Sequence, residues 1–198
     1  PGDPSSAAFF AAAAAIIPNS SVTIKNILLN PTRIGFFKLL DKMGGGVEMQ
    51  NIKQECGEIV GDIHVYWKPL NGINITAKMI PSVIDELPIL AILGSQAEGP
   101  TIVSGAEELR FKESDRIKAV CKNLKAMGGD IIERRDGFVI NQTNKLYSTD
   151  IKTFGDHRIA MAFSIADLIA EGKSVLDDYD CINISLPDFF QILNKICI

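Results

Sequence analysis

Residues 7–17 read AAFFAAAAAII, eleven positions without one polar side chain. A helix with no polar face has to be enclosed by other protein, and its small Ala side chains let neighbours approach on every side. A membrane-spanning helix needs about 20 apolar residues, so the run predicts a central core helix and no membrane anchor. Ser5 or Ser6 is the expected N-cap and Pro18-Asn19-Ser20 the stop. The preceding Pro1-Gly2-Asp3-Pro4 lacks the basic segment of a signal peptide. No Met opens the chain, and a fragment is expected.

Around this helix the pattern repeats. A strand is predicted at 21–29, a helix at 32–43 closed by Gly44-Gly45-Gly46, and short strands at 47–50, 58–67 and 73–77. A second round follows: a helix at 85–97, a strand at 101–104, a helix at 114–127 closed by Gly128-Gly129, and strands at 130–134 and 137–141. A third has a helix at 156–170, a strand at 173–176 and a last helix at 187–196. Lys42-Met43-Gly44-Gly45 and Ala126-Met127-Gly128-Gly129 end corresponding helices 84 residues apart. Three α-β-α-β-β units, the last without its strand pair, are expected in one α/β domain spanning 1–198, because no linker or low-complexity tract divides them.

Charge narrows the partners. With 20 Lys+Arg against 24 Asp+Glu among 198 residues and no basic run, the chain lacks the concentrated positive field that nucleic acid or an anionic membrane requires. Any anion it binds should be small. Cys56, Cys121, Cys181 and Cys197 form no CxxC pair and have only His64 and His157 to help, so a zinc site is not expected. They read as reduced, mostly buried thiols of a cytosolic protein.

Two helix starts carry cations where the helix dipole disfavours them. Lys112-Glu113-Ser114-Asp115-Arg116 leads into one, and Asp156-His157-Arg158 opens the other, with Asp156 able to N-cap. A bound anion would reverse the unfavourable sign, since helix N-termini already offer N–H groups to phosphate or carboxylate. The alternative is a solvated charged helix start. Asp85-Glu86 opens an otherwise apolar helix, which is an ordinary capping arrangement; paired with Glu113, Asp85 would also provide the minimum of one acid and one base. No P-loop, nucleophile elbow or dinucleotide fingerprint is present.

These segments resemble the EPSP synthases (3-phosphoshikimate 1-carboxyvinyltransferases): Pro1-Gly2-Asp3 with Ser5-Ser6-Ala7-Ala8-Phe9-Phe10, Ile84-Asp85-Glu86, the stretch from Leu109 to Arg116, the stretch from Asp156 to Phe163, and Ser185-Leu186-Pro187-Asp188-Phe189-Phe190. The likeness runs the whole chain. It implies an enolpyruvyl transferase-type inside-out α/β barrel lobe, built from three β-α-β-α-β-β repeats with helices inside and sheets outside. The implied reaction moves the enolpyruvyl group of phosphoenolpyruvate (PEP) to the 5-hydroxyl of shikimate 3-phosphate, on the route to chorismate and the aromatic amino acids, with no cofactor or metal.

By the same likeness Asp85 contacts the shikimate hydroxyls and acts as base, and Glu113 moves a proton to and from the PEP methylene. Lys112, Arg116 and Arg158 hold the PEP phosphate and carboxylate, with His157 beside them. Ile184 stands where some members carry a PEP-binding Lys. Family members are about twice as long, so the chain is expected to be a C-terminal lobe, inactive or nearly so without an N-terminal lobe as partner. A non-catalytic anion-binding or scaffold module that keeps the fold is the rival expectation.

Overall fold

The computed structural model describes residues 1–196. The first unit runs α1 (Pro4–Ile16), β1 (Ser21–Leu28), α2 (Gly35–Lys42), β2 (Gly46–Glu55) and β3 (Glu58–Tyr66). The second runs β4 (Asn74–Ile75), α3 (Leu87–Gln96), β5 (Thr101–Val103), α4 (Arg116–Ala126), β6 (Ile131–Arg134) and β7 (Gly137–Ile140). The third has β8 (Leu146–Tyr147), β9 (Asp150–Ile151), α5 (His157–Asp167), β10 (Ala170–Glu171), β11 (Val175–Leu176) and α6 (Phe189–Ile196).

As the absence of a polar face requires, α1 is buried along nearly its whole length, and it packs against the equally apolar α3 and the largely buried α5. These three helices form the inside of the lobe. The amphipathic α2 and α4 turn one face inward, and the sheets lie outside. None of the described helices is long and apolar enough to cross a membrane.

The repeat is visible in strand pairing. In the second unit β4 pairs parallel with β5, β5 antiparallel with β7, and β7 antiparallel with β6. In the first, Gly2 makes a single parallel bridge to Ile27 of β1, followed by the same antiparallel order β1-β3-β2. In the third, β9 pairs parallel with β11 and β8 parallel with β10, and among the described residues no hairpin completes the unit, which agrees with the sequence reading. Both Met-Gly-Gly ends have one geometry: Gly44 and Gly128 adopt φ of +88° and +85°, and the next glycine donates to Leu40 and Leu124 respectively.

Several boundaries differ from the sequence reading, each for a local reason. The N-cap of α1 is Asp3, which accepts a hydrogen bond from Ser6 N at 2.8 Å and lets Pro4 occupy the first turn, so Ser5 and Ser6 lie inside the helix. The expected helix at 85–97 begins as a 3₁₀ turn, Ile84–Glu86, before α3. Strand β11 falls within the strand expected at 173–176, whereas β8, β9 and β10 were not anticipated, since two-residue strands have no detectable period. Of the cysteines, Cys121 and Cys181 are buried, and burial pushes their thiols up to about 12 and about 11. Cys56 is exposed at the hairpin tip, and Cys197 lies outside the described residues.

The β2-β3 hairpin holds a prediction of its own. Both neighbours of β3 bulge at the same level, between Ile24 and Ile27 and between Gln50 and Lys53, with Asn26 and Asn51 at positive φ. One carboxylate serves both: Asp62 accepts from the Asn51 side chain and from Asn26 N, each at 2.8 Å, and these donors hold its pKa below the ordinary value. Asp62→Ala should lower the thermal unfolding midpoint by a few degrees and speed amide exchange in β1 and β2 but not in β6. Equal exchange in wild type and variant would show that the bulges hold themselves.

Candidate functional site

Arg110 sets the approach to α4. It donates from Nε to Arg135 O at 2.7 Å and from Nη2 to Arg134 O at 2.7 Å and Glu133 Oε1 at 3.0 Å, tying the segment to the β6-β7 turn. Its Nη1 donates at 2.8 Å to Asp115 Oδ2, while Asp115 Oδ1 accepts from Lys118 N at 3.0 Å. Asp115 is therefore the N-cap, and α4 starts at Arg116 instead of Ser114.

Arg116 then points into the protein, with its side chain 1% exposed. The compensating anions at this helix start are the chain's own. Nε donates to Asp156 Oδ2 at 2.8 Å, Nη1 to Asp85 Oδ1 at 3.0 Å, and Nη2 to Glu113 Oε2 at 2.7 Å and Asp156 Oδ1 at 3.3 Å. Burial opposes the guanidinium charge, yet the Asp156 hydrogen bonds and the carboxylates around it raise the Arg116 pKa above its ordinary value.

Asp156 is the fixed member of this cluster, at 0% exposure. It caps α5 by accepting from Arg158 N at 2.9 Å, and it accepts from Ser114 Oγ at 2.9 Å. Burial alone would raise its pKa, but these donors, Arg116 foremost, hold it below the ordinary carboxylate value. Asp85 and Glu113 sit on the other side of Arg116 with side chains 41% and 52% exposed. One buried guanidinium thus brings the starts of α3, α4 and α5 together and presents two solvent-open carboxylates side by side.

The other expected cations stand differently. Arg158 reaches Asp85 O at 3.4 Å, Asp85 Oδ2 at 3.6 Å and Glu86 Oε1 at 3.5 Å, all longer than the Arg116 pairs to Asp85 and Glu113. Lys112 is exposed, makes no salt bridge among the described residues, and lines a cavity of about 500 Å³ together with Ile84, Gly105 and Glu108. His157 is buried beside Arg158, and burial followed by that positive charge lowers its pKa. Ile184 is 75% exposed, and its uncharged side chain supplies no cation. Among the described residues no group of His, Cys, Asp and Glu is arranged to hold a metal ion.

Two residues of the candidate site carry more than the sequence reading gives them. Asp156 read only as a cap, although Arg116 lies on the buried stripe of Val120, Leu124 and Met127, and an Arg on such a stripe demands a buried carboxylate. Glu86 read as a second capping acid, but it is buried, and desolvation raises its pKa although the Ser5 hydroxyl and Arg158 pull it down. A carboxyl with a raised folded pKa keeps a proton that the unfolded chain releases, so the fold is penalised above that pKa and not below about pH 4. Glu86→Gln should therefore raise the thermal midpoint at pH 7, with the gap closing towards pH 4. A lower midpoint at pH 7 would show that the carboxylate is net stabilising.

The profile of the family described as EPSP synthase (3-phosphoshikimate 1-carboxyvinyltransferase) matches residues 1–193. Curated relatives bearing the name 3-phosphoshikimate 1-carboxyvinyltransferase include one from Persephonella marina, 51% identical over 197 residues, and one from Sulfurihydrogenibium sp. (strain YO3AOP1), 48% identical over 196. Each alignment covers 99% of this chain and 46% of the relative, so the chain spans about half the length of the curated relatives it matches. An EPSP synthase structure from Acinetobacter baumannii superposes with a TM-score of 0.95 at 37% identity, covering 99% of this chain and 46% of that one. The enolpyruvyl transferase NikO from Streptomyces tendae shares the fold, with a TM-score of 0.79 at 22% identity, covering 98% of this chain and 42% of that one.

Proposed function

Because the chain belongs to the EPSP synthase family, we propose that it supplies one half of a two-lobe site that transfers the enolpyruvyl group of PEP to the 5-hydroxyl of shikimate 3-phosphate. The observation that carries this reading is the shared guanidinium: Arg116 fixes Asp85 and Glu113 next to each other while leaving both open to solvent. An acid and a base that serve one small reacting centre need that proximity.

In this reaction Asp85 takes the proton of the 5-hydroxyl as the oxygen bonds to C2 of PEP, and Glu113 gives a proton to C3. The tetrahedral intermediate then loses phosphate as Glu113 removes a C3 proton and the enol double bond returns. Protonating C3 develops positive charge at C2, which adjacent carboxylates stabilise, while the PEP phosphate and carboxylate need cations. Lys112, exposed and without a salt bridge among the described residues, and Arg158, whose carboxylate contacts are long, are the cations assigned to those anions. Arg116 contributes charge from behind, and direct contact with an anion requires one of its carboxylate pairs to open. His157, kept towards its neutral form by burial, flanks Arg158.

The chain acts as a single lobe, 1–198, and the remaining cations and the shikimate 3-phosphate contacts come from an N-terminal lobe. Its place is the cytoplasm, which the buried unpaired thiols of Cys121 and Cys181 support.

Phosphate release from PEP plus shikimate 3-phosphate, measured on the chain alone and after adding an N-terminal half from a relative, tests the assignment. Release is expected only in the mixture. Release by the chain alone would overturn the need for a second lobe. No release from a mixture in which the halves demonstrably associate would favour a non-catalytic anion-binding or scaffold module.

A further inference from the structure

Glu86 follows Asp85 in the 3₁₀ turn but faces inward: its side chain is 6% exposed, and Oε1 has no hydrogen-bond partner among the described residues. A buried carboxylate oxygen left without a donor is rare enough to need a reason. Its near cation is Arg158, with Nη1 at 3.5 Å. The groups facing it are the Arg158 guanidinium from α5, the Ser5 hydroxyl from α1, Arg33 from the segment before α2, and Asp85 of its own turn.

Arg158 lies between two carboxylates of unequal character. Asp85 is solvent-open, already holds Arg116, and has its Oδ2 3.6 Å from Arg158 Nη2. Glu86 is enclosed, with its side chain 6% exposed. A guanidinium that closed fully onto Asp85 would form a two-pronged pair, withdrawing at once the cation that meets an anion and the carboxylate that accepts a proton. The observed Arg158 makes no such pair, since its contacts to Asp85 and Glu86 run from 3.4 to 3.6 Å.

We propose that Glu86 is a positioning residue for Arg158: its buried carboxylate draws the guanidinium inward and keeps it from closing onto Asp85, so both stay available to the substrates. What Arg158 binds rests on the function proposed above; the pairing with Glu86 does not. Glu86→Gln keeps the volume and removes the charge. Arg158 then closes onto Asp85, and KM for PEP rises about tenfold with a smaller fall in kcat.

The test has two arms. In the 198-residue chain alone, carbon-13 NMR follows the Glu86 carboxyl through a pH titration, in wild type and in Arg158→Gln. Loss of the counter-charge should move the Glu86 titration to higher pH, and an unchanged titration overturns the pairing. No turnover is needed, so this arm decides even where the proposed reaction is wrong. In the reassembled two-lobe enzyme, Glu86→Gln and Arg158→Gln are measured singly and together. If Glu86 acts through Arg158, the double variant has the KM for PEP of Arg158→Gln alone, whereas losses that multiply overturn the positioning role.

Discussion

Arg116→Met should destabilise the chain by about 3–5 kcal/mol, because it leaves the carboxylate of Asp156 buried without its cation. Asp156 is fully buried and Arg116 nearly so, hence solvent cannot take over the lost charge. Urea unfolding of the chain at pH 7 measures the loss as a shift in midpoint at unchanged slope. Replacing both partners, Arg116→Met with Asp156→Leu, should recover part of it, since a buried pair is harder to break than to delete. The effect should also depend on pH. The folded pKa of Asp156 lies below its unfolded value, so its contribution is complete above about pH 4 and disappears as pH falls through the lower, folded value. A single Met variant within about 1 kcal/mol of wild type would mean that Ser114 and the α5 backbone satisfy Asp156 without Arg116.

Glu113→Gln is expected to have the opposite profile, a folded protein with little turnover. In the reassembled enzyme, kcat should fall by about 10²–10⁴, the range for loss of a positioned proton-transfer group, while KM changes little. The unfolding midpoint should barely move, because Glu113 is half exposed and its bond to Arg116 is one of several that hold that guanidinium. Turnover within about threefold of wild type would remove Glu113 from the proton-transfer role and leave it as a spacer for Arg116. Together the two variants separate the buried half of the cluster, which holds the three helix starts together, from the open half, to which the proposed proton transfer is assigned.

Much of the candidate site was legible because its residues are local in sequence. Lys112, Glu113 and Arg116 share one helix start, His157 and Arg158 another, and misplaced cations at helix N-termini marked both. The partners of those cations were not legible. Arg116 meets Asp156 across 40 residues and Asp85 across 31, and no local period relates such positions. The same limit explains Glu86: burial comes from α1 lying against its turn, with Arg158 of α5 beside it, which adjacent residues do not encode.

The sequence by itself determined the architecture. An apolar Ala-rich segment has only the centre of a fold to occupy, and α1 occupies it. Met-Gly-Gly helix ends recur where a left-handed residue must stop a helix, and Gly44 and Gly128 adopt that conformation. Tertiary structure alone decided the charge states and partners. Whether a carboxylate is open, as at Asp85, or buried beside a cation, as at Asp156, depends on which helices close around it. Desolvation and Coulomb attraction act through space and are set by distant segments, so they appear only once the three helix starts have met.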